Sequence, residues 1–389
     1  MLMLMLAWLK SYGFKLPAVF GYTSTRMMLA AVTSLVITIV VGPFFIRRLY
    51  SLKMGQPIRK EECPLLGELH AKKRDTPTMG GILILTAMLS SLVLWMDLKS
   101  FFTLLLFFTT IVMGLLGGRD DYLKLKYKNS KGLSSRKKFF VQIICAGVIG
   151  MVLYWPPLTS MLHTGTWFAP PIAKAETVLT TSQYLSQLYV PFIKDPWLLP
   201  SGLMFLLFIF VFAGSSNAVN LTDGLDGLAA GSLIMVASAL SLVAFLSNNA
   251  DMASYLNILY IEGSGEVAIY LCALSGACLG FLWYNSHPAQ IFMGDIGSLT
   301  LGSVIGLSAC LLGRQLLLAI IGGLFVIEAL SVILQVASYR LRNKKRIFAC
   351  APLHHHFEYK GWPETKVVVR FWIISLLLGI LGIASLKFQ

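Results

Sequence analysis

Along most of the chain, apolar runs long enough to cross a bilayer alternate with short polar connections. A helix needs about 20 apolar residues to span. Runs of that kind fall at 27–46, 79–96, 101–118, 139–155, 196–214, 227–246, 267–284, 296–313, 315–338 and 371–386. Strand-like alternation is absent, which argues against a barrel. The pattern predicts an all-α integral membrane protein of about ten transmembrane helices, a single polytopic domain over 1–389. The 156–197 connection is unusually long. Its Pro170 and Pro171 and its polar SQYLSQL run predict an external flap with no chemistry of its own. Residues 1–9 are apolar but short, and they lack the basic start and cleavage site of a signal peptide. They read as a helix lying in the membrane interface. No internal repeat is evident, so the inverted-repeat signature of many transporters is missing.

Composition agrees with the pattern: 56% of the 389 residues are hydrophobic and 13% charged. The charge itself adds topology. Lys and Arg concentrate in three connections, eight each in 47–75, 118–138 and 339–370, out of 32 in all. Basic loops stay on the cytoplasmic side. Ten spans put these three on one face and both termini on the other, periplasmic side. The net charge of +14 is then a topology signal with anionic lipid and phosphate as partners, not the footprint of a nucleic-acid binder. Among the six cysteines, Cys63, Cys145, Cys272, Cys278, Cys310 and Cys350, no C-x-x-C pair occurs, which predicts neither disulfides nor structural zinc. Glu328 is the only acidic residue in the middle of a span, and such a group faces protein rather than lipid.

The same alternation places two loops without Lys or Arg, 215–226 and 285–295, on the basic face. The stretch NAVNLTDGLDG carries Asn217, Asn220, Asp223 and Asp226 at intervals of three. On an α-helix these fan across about half a cylinder; in a 3₁₀ turn they form one row. The second loop holds Asn285, Phe292 and, at the start of a span, Asp295. Asp120 and Asp121 end span three. A helix C-terminus repels anions, so a positive partner is needed, with Lys124, Lys126, Lys138 or a metal ion as candidates. Upstream, HAKKRDTPTMGG places Lys72 and Lys73 before a segment whose Pro77 suits a first helical turn, and such a terminus favours phosphate. Downstream, PLHHHFEYKGWP holds His354, His355 and His356, which as neighbours cannot all face one way on a helix; a loop pointing one or two of them at phosphate fits better than zinc. Two charges 4 Å apart repel by about 4 kcal/mol at an effective dielectric near 20. Aspartates gathered at one membrane mouth therefore either stay apart or share a divalent cation, and Mg²⁺ prefers carboxylates plus phosphate oxygens.

These pieces, HAKKRDTPTMGG, GGRDDYLKLK, NAVNLTDGLDGLA, NSHPAQIFMGDIGSL and APLHHHFEYKGWPETKVVVRFW, taken in order, resemble the phospho-N-acetylmuramoyl-pentapeptide transferases over nearly the whole chain. The resemblance implies a ten-helix fold in the bacterial inner membrane, a Mg²⁺ cofactor and a homodimer. It implies transfer of phospho-N-acetylmuramoyl-pentapeptide from UDP to undecaprenyl phosphate, with release of UMP. Carried over by motif, Asp120, Asp121 and Asp295 become catalytic, with Asp295 and Asp120 as metal ligands. Lys73, Asn217, Asn220, Asp223, Asp226 and Asn285 line the nucleotide-sugar site, and Phe292 stacks on uracil. Lys138, His354, His355 and His356 handle phosphates. The 156–197 segment is longer than the family leads one to expect. Two other readings remain at this point: an N-acetylglucosamine-1-phosphate transferase acting on the same lipid, and an ion or lipid transporter. The TPTMGG and PLHHHFE segments speak for the muramoyl branch, and carboxylates at helix mouths rather than mid-membrane speak against a transporter.

Overall fold

A computed structural model describes residues 12, 18–52, 76–127, 132–155, 167–170 and 178–388. The expected interfacial helix at 1–9 and the basic loop carrying Lys72 and Lys73 lie outside these residues. Among the described residues, nine helices are long and apolar enough to span a membrane, and Gly81–Trp95 is a shorter apolar one. The protein is an all-α integral membrane protein. In chain order the helices are α1 (Thr23–Ser51), α2 (Gly81–Trp95), α3 (Phe101–Lys126), α4 (Ser135–Tyr154), α5 (Thr181–Leu185), α6 (Ser201–Thr222), α7 (Leu228–Ser247), α8 (Ala250–Leu256), α9 (Ser264–Asn285), α10 (Gly294–Leu311), α11 (Gln315–Ile321), α12 (Gly323–Leu341), α13 (Leu353–Tyr359) and α14 (Glu364–Ser385). The stretch 315–338, continuous by hydropathy, is two helices parted at Gly322.

α10 is the hub. Every residue from Asp295 to Leu311 is buried. Its sequence explains how a helix rich in hydroxyls can sit there. Ser298, Thr300 and Ser303 return their hydroxyls to carbonyls of the preceding turn, at Gly294, Ile296 and Leu299. Its small residues let neighbouring backbones come close, as helices in lipid require. A Cβ on Gly302 would stand 2.6 Å from the Ser215 carbonyl of α6, and one on Gly81 of α2 would stand 2.2 Å from the Gly297 nitrogen. The outer helices instead turn large apolar side chains outward, such as Phe44 at 75% and Phe210 at 73% exposure, the surface that lipid solvates.

Short β pieces occupy one end of the bundle. Phe168–Ala169 (β1) pairs with Tyr260–Ile261 (β4), and Gln187–Leu188 (β2) pairs with Trp197–Leu198 (β3), both antiparallel. The Tyr184 hydroxyl donates to the Leu311 carbonyl at the C-terminus of α10. Asp295 begins the same helix, so the flap and the acidic residues lie at opposite ends of it. Near the flap end, a buried Arg26–Glu266 ion pair ties α1 to α9. Arg26 also donates to the Trp95 carbonyl, and Glu266 accepts from the Asp97 nitrogen.

Candidate active site

α3 continues to Lys126, so Asp120 and Asp121 lie inside it and not at its end, as the hydropathy pattern suggested. Lys124 follows one turn later, at the i+4 and i+3 spacing that brings side chains together. Its Nζ lies 2.7 Å from Asp120 Oδ2, 3.3 Å from Asp121 Oδ1 and 3.0 Å from Asp295 Oδ1. Lys138, in the first turn of α4, adds contacts of 2.8 Å to Asp295 Oδ2 and 3.3 Å to Asp120 Oδ2. Two ammonium groups thus hold three carboxylates together.

The backbone fixes the rest of this cluster. Asp121 Oδ2 accepts the Ile296 N–H at 3.0 Å, capping α10 from a different helix. Asp120 Oδ1 accepts the Leu133 N–H at 2.6 Å, which folds the loop before α4 over α3. Asp295 sits in the first turn of α10, where the helix dipole favours a carboxylate. Gly294 makes the approach possible: its φ is +73°, and a Cβ there would lie 2.5 Å from Asp121 Oδ2.

Around this centre, α6 carries Asn217 and Asn220 about 60° apart, close enough to neighbour each other yet reaching different partners. Asn220 Nδ2 donates to Asp295 Oδ1 at 3.1 Å and to the Ser298 hydroxyl at 2.8 Å. Asn217 instead donates to Gln142 Oε1 and to the Ala213 carbonyl, inside a network that Gln142 extends to Ser216. It joins α6 to α4 and does not reach the carboxylates. Asp223 is the C-cap of α6 and half-buried. Burial, then the neighbouring charges of Asp295 and Asp121, push its pKa up to about 7. Near neutral pH it can therefore donate a hydrogen bond as well as accept one.

Asp226 lies behind the turn. Its Oδ2 is 3.1 Å from both His287 Nδ1 and the Ala289 nitrogen, and Glu364 accepts its backbone N–H. Asn285 fastens this turn to the next loop, accepting from Gly227 N and donating to the Ile291 carbonyl. Phe292 is half-buried. Its backbone pairs with Pro77 and Gly80, and Met293 accepts from the Gly81 N–H. The Gly80 and Gly81 N–H groups at the start of α2 are therefore spent on the 292–293 segment. This helix start is not the open anion site that Pro77 suggested.

The histidines form a short helix, α13, and not a loop. They diverge. His354 is fully buried beside Glu328, His355 meets Glu358 at 2.7 Å, and His356 Nδ1 accepts the Ala349 N–H. Burial and then Lys360 lower the pKa of His356, which keeps it neutral and suited to that acceptor role. So the structure brings Asp120, Asp121, Asp295, Lys138 and Asn220 to one place, with Asp223 coupled to it. Lys73 lies outside the described residues. Sequence reasoning weighed Lys124 only as a counter-charge, although its i+4 spacing from Asp120 was the available signal.

Oxygens of Asp120, Asp121 and Asp295 lie within 4.8 Å of one another. An ammonium already sits among them at short distances, and an all-oxygen donor set is what a hard divalent cation takes. The residues fit such an ion.

Residues 73–85 match a phospho-N-acetylmuramoyl-pentapeptide-transferase signature, and residues 103–313 match glycosyl transferase family 4. The chain is 62% identical to the phospho-N-acetylmuramoyl-pentapeptide-transferase of Protochlamydia amoebophila (strain UWE25), over 96% of each chain. The chain belongs to the phospho-N-acetylmuramoyl-pentapeptide-transferase family. Other members of that name are 46% identical in Thermodesulfovibrio yellowstonii (95% of each chain) and 44% identical in Francisella tularensis subsp. mediasiatica (100% of each). In this family member, the described part of the signature is the Thr76–Pro77–Thr78 segment and the first turn of α2, packed on the loop that presents Asp295.

Proposed function

We infer that this protein transfers phospho-N-acetylmuramoyl-pentapeptide from its UDP carrier to undecaprenyl phosphate, releasing UMP and forming the first lipid-linked peptidoglycan precursor. The observation that carries the reading is the convergence of Asp120, Asp121 and Asp295 on two lysines at one helix mouth, in a chain that carries the family signature. Asp295 and Asp120 would hold Mg²⁺, which supplies neutralising charge to phosphate oxygens when bound. Lys138 and Lys124 orient the same oxygens. Asn220 keeps Asp295 pointed at the centre, Asp223 and Asp226 line the nucleotide-sugar side, and half-buried Phe292 offers a face for uracil. An oxygen of the lipid phosphate attacks the sugar-proximal phosphorus. The bond from that phosphorus to the bridging oxygen breaks, and UMP leaves with the electron pair. A phosphate monoester loses its second proton near pH 6, so Asp120 or Asp121 needs to accept little proton at neutral pH. The alternative is a phospho-aspartate. Direct attack predicts that label from the β-phosphate never becomes protein-bound when the lipid is withheld. A labelled aspartate trapped in that experiment would remove it.

In this reading the site faces the cytoplasm at the inner membrane, which the charge of the basic loops supports, and the working assembly is a homodimer, which light scattering in detergent measures. The deciding assay mixes detergent-solubilised protein with undecaprenyl phosphate, Mg²⁺ and either UDP-N-acetylmuramoyl-pentapeptide or UDP-N-acetylglucosamine, and follows UMP. Release with the first sugar and not the second is expected; the reverse would assign the N-acetylglucosamine branch.

A further inference from the structure

Glu328 belongs to α12, is fully buried and makes no contact with the aspartate cluster. It serves α13 instead. Its Oε2 accepts the Leu353 N–H at 2.8 Å and its Oε1 accepts the His354 N–H at 3.1 Å, the first two backbone donors of that helix. The same carboxylate stands 3.2 Å from His354 Nδ1. On its far side the His354 ring is pressed on Gly224: a Cβ at that glycine would lie 2.3 Å from Nε2. Gly224 lies in the turn over residues 223–227, which carries both Asp223 and Asp226.

His354 is 0% exposed, yet among the described residues neither ring nitrogen has a hydrogen bond of good geometry, and Nδ1 has only its 3.2 Å approach to Glu328. A buried polar group left in that condition is unfavourable. Its own bonding therefore does not explain why an imidazole sits there. Its position does. The ring fills the space between an anchored helix end and the turn that carries two carboxylates of the candidate site, and only glycine leaves room for it.

We propose that Glu328 is a positioning residue for the nucleotide-sugar side of the active site. It pins the start of α13, α13 sets the His354 ring against Gly224, and the ring fixes where Asp223 and Asp226 stand. The inference rests on the transferase reading of that turn. In that reading the lipid phosphate meets the lysine–aspartate cluster rather than the 223–226 turn, so the two substrates should respond differently.

The test is steady-state kinetics on Glu328→Gln, Gly224→Ala and the double variant, varying each substrate in turn. Glu328→Gln removes the charge at nearly constant volume; Gly224→Ala displaces the ring with Glu328 intact. Each single variant is expected to raise KM for UDP-N-acetylmuramoyl-pentapeptide by about tenfold, with KM for undecaprenyl phosphate within about twofold of wild type. The double variant should be no worse than about threefold beyond the weaker single, because both changes break one contact chain. Equal losses for both substrates, or a fully multiplicative double, would overturn the proposal in favour of a purely structural Glu328. If Glu328→Gln does not accumulate, an unchanged KM in Gly224→Ala overturns it alone. Wild-type protein that releases no UMP would remove the transferase reading instead.

Discussion

Asp120 and Asp121 are neighbours whose side chains leave their helix about 100° apart, and still both reach one ammonium. Lys124 lies a turn further on and bridges them, while Asp295 arrives from α10 to complete the set. Asp295 touches both lysines and Asn220, so it is the carboxylate on which the arrangement turns. Asp295→Asn should lower UMP release by at least about 100-fold, the scale of losing one key electrostatic group; a near-wild-type rate would exclude Asp295 as metal ligand. Asp223 gives a pH prediction. Its folded pKa of about 7 lies above its ordinary value of 3.8, so the folded protein retains a proton that the unfolded chain releases between those values. Stability from this group is complete below about pH 4 and is lost as pH rises through 7. In EDTA, the thermal midpoint of Asp223→Asn should gain on wild type between pH 5 and 8. A difference independent of pH would mean that Asp223 titrates normally.

At the scale of elements, the site depends on how closely α2, α3 and α10 approach. Gly81 faces Gly297 across that contact, and Gly117 of α3 faces the Asp295 carbonyl, where a Cβ would stand 2.4 Å away. Both contacts are backbone against backbone, with no flexible side chain to yield. Gly81→Ala should therefore push α2 from α10, costing about 1–3 kcal/mol by overpacking and moving Asp295 with it. Thermal unfolding and UMP release check this together; a variant as stable as wild type would show that the pair relaxes freely. The apolar runs that marked α2 and α10 as helices do not show which glycines are contacts. The break at Gly322 was hidden for a related reason, since apolar residues continue through it and hydropathy averages across the change of direction.

For the whole molecule, the flap and the aspartates sit at opposite ends of α10. If the basic loops face the cytoplasm, the flap faces the periplasm. In cells, Lys194→Cys should react with a membrane-impermeant thiol reagent from outside, and Lys344→Cys only after permeabilisation; both positions are exposed. The opposite pattern would invert the protein. The long 156–197 connection read as an external flap, and its described parts take part in two short ladders, with Tyr184 reaching the end of α10. Strands of two residues carry no alternation to detect.

The membrane class and the rough positions of the helices were determined by the sequence alone, because hydropathy acts locally and sums along the chain. The order of its motifs was enough to name a family. Only the tertiary structure decided that Asn217 faces Gln142 while Asn220 faces Asp295, and that the three histidines part company. It also decided that the N–H groups opening α2 are already bonded to Phe292 and Met293. Each of these depends on which neighbour lies across a gap of a few ångströms. That neighbour is distant in sequence, and no local period encodes it.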